Sequence, residues 1–159
     1  MTGVVVAEAA AVDDDLVAAF ARLTPQLSRS AAAPGPAELA AIVASPATRL
    51  LVARTGGGIV GTLTLVLFRV PTGVRAWIED VVTDESARGR GVASALVRGA
   101  VELAAAEGAR TVDLTSRPDR EAANRLYRRE GFALRSTNVY RYELEARDPS
   151  GAKVAPKWR

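Results

Sequence analysis

The sequence predicts an α+β fold: a three-layer αβα arrangement around a mixed, mostly antiparallel central sheet of about seven strands. Three observations predict it. The apolar periodicities run in the order β-α-α-β-β-β-α-β-α-β-β, which a sheet with helices on both faces accommodates. Two turn signals, Thr55-Gly-Gly-Gly58 and Pro71-Thr-Gly73, sit between consecutive strand patterns and so predict antiparallel neighbours. A glycine- and arginine-rich turn, Arg88-Gly-Arg-Gly91, separates the third of these strands from a long amphipathic helix, as in a chain that presents bare backbone N–H groups to a phosphate.

The elements follow in chain order. Residues 3–8 read as a strand. Asp13-Asp-Asp15 opens a helix to about Ser28, with Leu16, Phe20 and Leu23 on one face. The three aspartates favour the positive end of the helix dipole; attraction of a cationic substrate is the less economical reading. A loop from Ser30 to Pro36 leads to a short helix from Ala37 to about Ala44, ended by Pro46. Strands are predicted at Arg49–Ala53, Ile59–Val70 and Val74–Thr83. The amphipathic helix runs from about Val92 to Glu107, burying Val92, Leu96, Ala100 and Leu103, and Gly108 ends it. Thr111–Thr115 reads as a central strand parallel to its neighbour. Ser116 or Arg117 caps a helix that carries Pro118 in its first turn, turns Ala123, Leu126 and Tyr127 inward and stops at Gly131. Phe132–Leu134 and Asn138–Leu144 are predicted to close the sheet as an antiparallel pair.

Composition narrows the chemistry. With 159 residues, 48% hydrophobic and 25% charged, the chain has the make-up of one soluble domain with a real core. The domain is expected over residues 1–145, followed by a flexible basic tail at 146–159. No apolar run is long enough to span a bilayer, and the run Val4–Val12 contains Glu8 and lacks a basic flank, so a signal peptide is not expected. A cytoplasmic location follows as an expectation, with no membrane partner. Cysteine and histidine are absent, which excludes disulfides, thiolate nucleophiles, imidazole bases and the usual zinc sites; no metal is expected. The two lysines, Lys153 and Lys157, lie in the tail, so acid–base work falls to Asp, Glu, Tyr, backbone or water. A net charge of +3 is too small to argue for nucleic acid, and the Lys-Trp-Arg ending reads as a solvated terminus.

The glycine turn has the pattern Arg88-x-x-Gly91-x-Ala93, and a dinucleotide fingerprint fails because Ser94 stands at its third glycine. A second motif lies at Asn124-Arg-Leu-Tyr127-Arg-Arg-Glu-Gly131-Phe132. In these two motifs and in element order over roughly residues 3–144, the chain resembles the GNAT superfamily of acyl-CoA-dependent N-acyltransferases. Leu126 stands where that family commonly has Phe.

The resemblance implies acetyl-CoA as co-substrate. The amides of Arg88, Gly89, Arg90, Gly91, Val92, Ala93 and Ser94 would hold its pyrophosphate, and helix N-termini supply the donors and dipole for that. Val81, Val82 and Thr83 match the strand end that splays from its neighbour and pairs with the pantetheine arm. Asn124 would contact the pantetheine or pyrophosphate arm. Tyr127 matches the position whose hydroxyl approaches the thioester sulfur, and a phenol near ~10 can protonate a thiolate near ~8.5. Glu79 is the general-base candidate. An ammonium near ~10 does not readily yield its proton to a carboxylate near ~4.3, so Glu79 would need a raised pKa or a water chain, or would position the amine; a structural pairing with Arg75 is the plain alternative. Asp80 points to the other sheet face in a regular strand, and a bulge would exchange the two roles. Trp77, Asn138 and Tyr140 are weaker pocket candidates.

The implied activity is direct acetyl transfer to a primary amine of a small molecule or protein, since no residue suits a covalent acyl intermediate. A non-catalytic acyl-CoA sensor is the alternative. A homodimer through strand edges is common in the family and stays open.

Overall fold

The computed structural model describes residues 3–144, 146–147, 150 and 153–154. Its main sheet has five strands rather than about seven, in the order β1-β2-β3-β4-β5. β1 is Val5–Glu8, β2 Thr48–Thr55, β3 Gly58–Val70, β4 Gly73–Thr83 and β5 Val112–Asp113. The first four are antiparallel neighbours, and β5 runs parallel to β4. The hairpins form where the turn signals stand, at Gly56–Gly57 and Pro71–Thr72.

The expected closing pair does not form. Residues 133–144 are irregular and exposed, with Leu134, Val139, Tyr140, Tyr142 and Leu144 each more than two-thirds accessible. β5 shrinks to two residues of the expected five, so little sheet edge is on offer for a sixth strand. A separate antiparallel ladder pairs β6, Ala146–Arg147, with β7, Lys153–Val154. The Lys157-Trp-Arg159 ending lies outside the described residues.

Helices cover both faces of the sheet. α1 spans Asp14–Leu27 and α2 Pro36–Ala44 on one side; α3, Val92–Ala106, covers the other. α4, Glu121–Arg129, turns Leu126 and Tyr127 onto the α3 side. It begins later than the sequence predicts, with Arg120 at its cap, so Pro118 lies in the preceding loop. Of the three aspartates, Asp13 caps α1 by accepting from the Leu16 amide at 2.8 Å, and Asp15 pairs with Arg54 at 2.6 Å; both are structural. Among the described residues no helix is long and apolar enough to cross a membrane.

Two apolar clusters hold the layers together. Leu63, Leu65, Ala76, Ile78, Leu96 and Val97 lie on the α3 face. Leu16, Leu23, Leu39, Leu50, Ile59 and Val82 lie on the α1–α2 face. α3 packs so closely on β3 that a Cβ on Gly61 would meet Val92 Cγ1 at 2.7 Å and the Val82 carbonyl at 3.0 Å. That contact brings the start of α3 against the sheet beside the end of β4.

The end of β4 is clamped from the other side. Asp84 is buried and accepts from Arg22 Nε at 2.8 Å and from the amide and hydroxyl of Ser86 at 3.0 and 2.8 Å. Arg22 also donates to the Ile59 carbonyl at 2.6 Å, which ties α1 to β3 and to the start of the glycine turn. The hydrogen bonds from Arg22 and then Ser86 lower the Asp84 pKa to about 2 from 3.8. The stabilisation is therefore complete above the unfolded value and is lost as pH falls through about 2. Asp84→Asn is expected to cost on the order of 1 kcal/mol near neutral pH, since the half-exposed Arg22 is screened by solvent. Thermal melts of both proteins across an acid series check it: the gap closes between pH 4 and pH 2.

Candidate active site

The site grows out of one irregularity in β4. Asp80 has φ of +52°, the sole non-glycine residue with positive φ among those described. The β3–β4 register slips there, between Thr62 and Thr64, so that Thr64 faces Glu79 while Thr62 faces Val82. This is a β-bulge, and it inverts the strand. Before it, the Ala76 amide donates toward β5, to the Thr111 carbonyl at 2.9 Å; after it, the Asp84 amide donates toward β3, to the Val60 carbonyl at 2.8 Å. In a regular strand both even-numbered amides would face one side. The inversion turns the Val81 and Thr83 amides toward the β5 side.

On that side there is a gap. β4 and β5 pair only at Ala76 with Val112 and at Trp77 with Asp113, whereas β4 stays paired with β3 as far as Thr83. The two parallel strands thus diverge beyond Trp77 and leave a slot bounded by unpaired β4 backbone. Thr83 Oγ1 is buried at this edge without a hydrogen-bond partner among the described residues.

The chain runs from the end of β4 through the glycine turn to the start of α3. Gly89 and Gly91 have φ of +74° and +78°, and nothing lies within 4 Å of where their Cβ atoms would be. Gly91 caps α3 with no side-chain hydrogen bond, and no acidic residue occupies the first turn. Ala95 is bonded to the Gly91 carbonyl at 2.9 Å, so the amides of Val92, Ala93 and Ser94 are those that the helix itself leaves unpaired. With exposed Arg88 and Arg90 alongside, this end of α3 can hold an anion.

Glu130 braces α3 against α4, and sequence reasoning missed it. Its carboxylate accepts from Arg98 Nε at 2.7 Å and from the Ser94 hydroxyl. The Arg98 bond first, then that of Ser94, lowers the Glu130 pKa. Only the position of Glu130, next to the Gly131 stop, marked it in the sequence. The Ser94 hydroxyl is thereby committed, which leaves its backbone amide for a ligand.

α4 supplies Tyr127, half-buried and set edge-to-face on Phe132 with ring centroids 6.0 Å apart. Tyr127 and Val81 both pack against the apolar cluster on the α3 face of the sheet. Burial raises its pKa, and Arg120 partly opposes this. The Asn124 side-chain amide donates to the Arg117 carbonyl at 2.9 Å and so shapes the β5–α4 loop.

The structure decides between two of the alternatives left open for Glu79 and Asp80. Glu79 does not pair with Arg75: it accepts from the Trp77 indole at 2.8 Å, while Arg75 donates to Thr72 and Thr111. The bulge also brings Asp80 round to the α1–α2 face, where it lines a cavity of about 380 Å³ with Phe20, Leu23, Leu27, Ile42 and Leu50. Asn138 and Tyr140 are hydrogen-bonded to each other in the exposed segment after α4 and do not line this cavity. No group able to hold a metal ion occurs among the described residues.

Comparison with known proteins agrees with this geometry. The acetyltransferase (GNAT) family profile matches residues 15–132. A putative acetyltransferase from Agrobacterium tumefaciens is 29% identical, with a TM-score of 0.75 over 86% of this chain and 99% of that one. A protein from Bacillus halodurans described as a transcriptional regulator is 28% identical, with a TM-score of 0.75 over 89% and 99%. An aminoglycoside acetyltransferase from an uncultured soil metagenomic sample, in complex with sisomicin, shares the fold at 18% identity, with a TM-score of 0.77 over 89% and 97%. A search of curated proteins returns no match.

The raised Tyr127 pKa has a direct readout. In an ultraviolet alkaline titration, Tyr127→Phe is expected to remove a component that ionises above the ordinary phenol value of 10.0. Loss of only components at or below that value would contradict the assigned environment.

Proposed function

Because this chain belongs to the acetyltransferase (GNAT) family, we propose that it moves an acetyl group from acetyl-CoA directly to a primary amine in a ternary complex. One observation carries the reading: β4 has no β5 partner beyond Trp77, and the chain runs from that strand end into an uncapped, glycine-lined helix N-terminus. An extended, amide-bearing arm ending in a pyrophosphate matches such a surface.

The pyrophosphate is assigned to the amides of residues 88–94, with Arg88 and Arg90 adding charge and Gly89 and Gly91 allowing close approach. The pantetheine amides are assigned to the turned-out backbone at Val81 and Thr83, with Val82 paired back to β3. Asn124 acts by holding the loop beside the arm. The acetyl group then falls next to the bulge, where a backbone N–H can polarise its carbonyl.

The amine reaches the thioester from the cavity on the α1–α2 face. It must first lose a proton, and Glu79 is assigned to pass it through water to solvent. Its bond to Trp77 holds that carboxylate in one orientation. Attack on the carbonyl carbon forms the C–N bond, and the amine's second proton leaves as the C–S bond breaks. Tyr127 is assigned to protonate the departing thiolate and to recover its proton from solvent. Burial favours the neutral phenol, the form that can donate a proton.

Thiol-release kinetics test the assignment. Tyr127→Phe should lower kcat about 100-fold while calorimetric binding of acetyl-CoA stays within about twofold, as expected when a transition-state interaction alone is removed. Equal turnover would remove the acid role. Glu79→Gln should flatten the limb of the pH–rate profile that rises toward alkaline pH, and an unchanged limb would remove Glu79 from proton transfer. Tight acetyl-CoA binding without turnover on any amine would favour an acyl-CoA sensor.

A further inference from the structure

The cavity beside the bulge has an unusual chemical make-up for an amine site. Its wall is apolar: Phe20, Leu23 and Leu27 come from α1, Ile42 from α2, and Leu50 from β2. Its one ionisable lining residue is Asp80, set at the sheet break by its left-handed backbone. Thr62 and Thr64 are the polar residues of β3 on its floor. A second cavity adjoins it, sharing Leu27 and Ser28, and carries Arg29, Arg117 and Arg120 with no carboxylate. The volume of the first cavity, about 380 Å³, suits a small ligand.

We propose that the acceptor is a small apolar monoamine, with its ammonium held by Asp80 and its hydrocarbon body buried against Phe20, Leu27 and Ile42. This deepens the proposed acetyl transfer and rests on it. Asp80 is exposed at the edge of an apolar cavity; one such carboxylate can pair with one ammonium, and an apolar body removes surface from water on entering. The arginine-lined neighbour selects against a second cationic group on the same acceptor, since that group would meet Arg29 and Arg120, while the nearby carboxylate of Asp119 is already paired with Arg117. A polycationic acceptor is thus disfavoured by the same surface that admits a monoamine. Asp80 binds the ammonium in this scheme, and Glu79, bonded to Trp77, remains the route for the proton.

The experiment uses the full chain, a series of linear amines from n-propylamine to n-hexylamine, and sisomicin as the polycation. Calorimetry of each amine with the CoA-loaded protein gives binding, and thiol release from acetyl-CoA gives kcat/KM. Both are expected to rise about fourfold per methylene until the cavity is filled, with sisomicin unbound. Asp80→Asn tolerates the left-handed backbone, so it is expected to fold. It should raise KM for n-hexylamine about 10-fold or more while leaving acetyl-CoA affinity unchanged. A flat or absent chain-length dependence, a preference for sisomicin, or undiminished amine binding by Asp80→Asn overturns the inference. Chain-length-dependent, Asp80-dependent binding without thiol release upholds the monoamine site and overturns the transferase reading instead.

Discussion

The bulge at Asp80 is the constraint on which the rest of the site depends. A strand paired regularly on both sides has no backbone to spare and keeps each side chain on its own face. One residue in the left-handed region costs roughly 1–2 kcal/mol, and here it changes three things together. It turns the Val81 and Thr83 amides away from β3. It moves Val82 into the α1–α2 core while Val81 joins the α3 core. It brings Asp80 to the cavity on the α1–α2 face. Strained backbone of this kind persists where surrounding structure over-determines it.

That surrounding structure can be named. The paired β2–β3–β4 framework continues on either side of the slip. Asp84 anchors the strand end to α1 through Arg22, and Gln26 accepts from the Glu85 amide at 2.8 Å just beyond. Gly61 lets α3 settle against the opposite face, and Glu130 ties the first turn of α3 to α4. These contacts hold rigid pieces on three sides of the slot. They explain how amides from β4 and from the α3 terminus, distant in local geometry, can serve one extended ligand.

Much of this was legible in the chain. The turn at Arg88–Gly91, the helix it opens and the inward face of α4 carry local signals: glycines where φ is positive, apolar spacing at 3.6 residues, a Gly131 stop. The antiparallel hairpins were equally local. What escaped depends on partners far along the chain. Asp84 and Glu130 look like any surface carboxylates until Arg22 and Arg98 are brought beside them. The bulge was open as an alternative, but no local signal placed it at Asp80, which is not the glycine that a left-handed position usually attracts. The closing strands failed for the same reason in reverse: Val139, Tyr142 and Leu144 have strand-like composition, but composition provides no edge to pair with once β5 is two residues long.

The central claim is that one ligand spans the turned-out edge of β4 and the uncapped start of α3. Amide hydrogen exchange, resolved by residue with and without acetyl-CoA, reads those groups themselves. The account predicts that acetyl-CoA slows exchange at Val81, Thr83 and the amides of residues 89–94, and leaves β1 and β2 unchanged. Protection confined to other elements, or an α3 terminus that exchanges equally fast with acetyl-CoA bound, would contradict it.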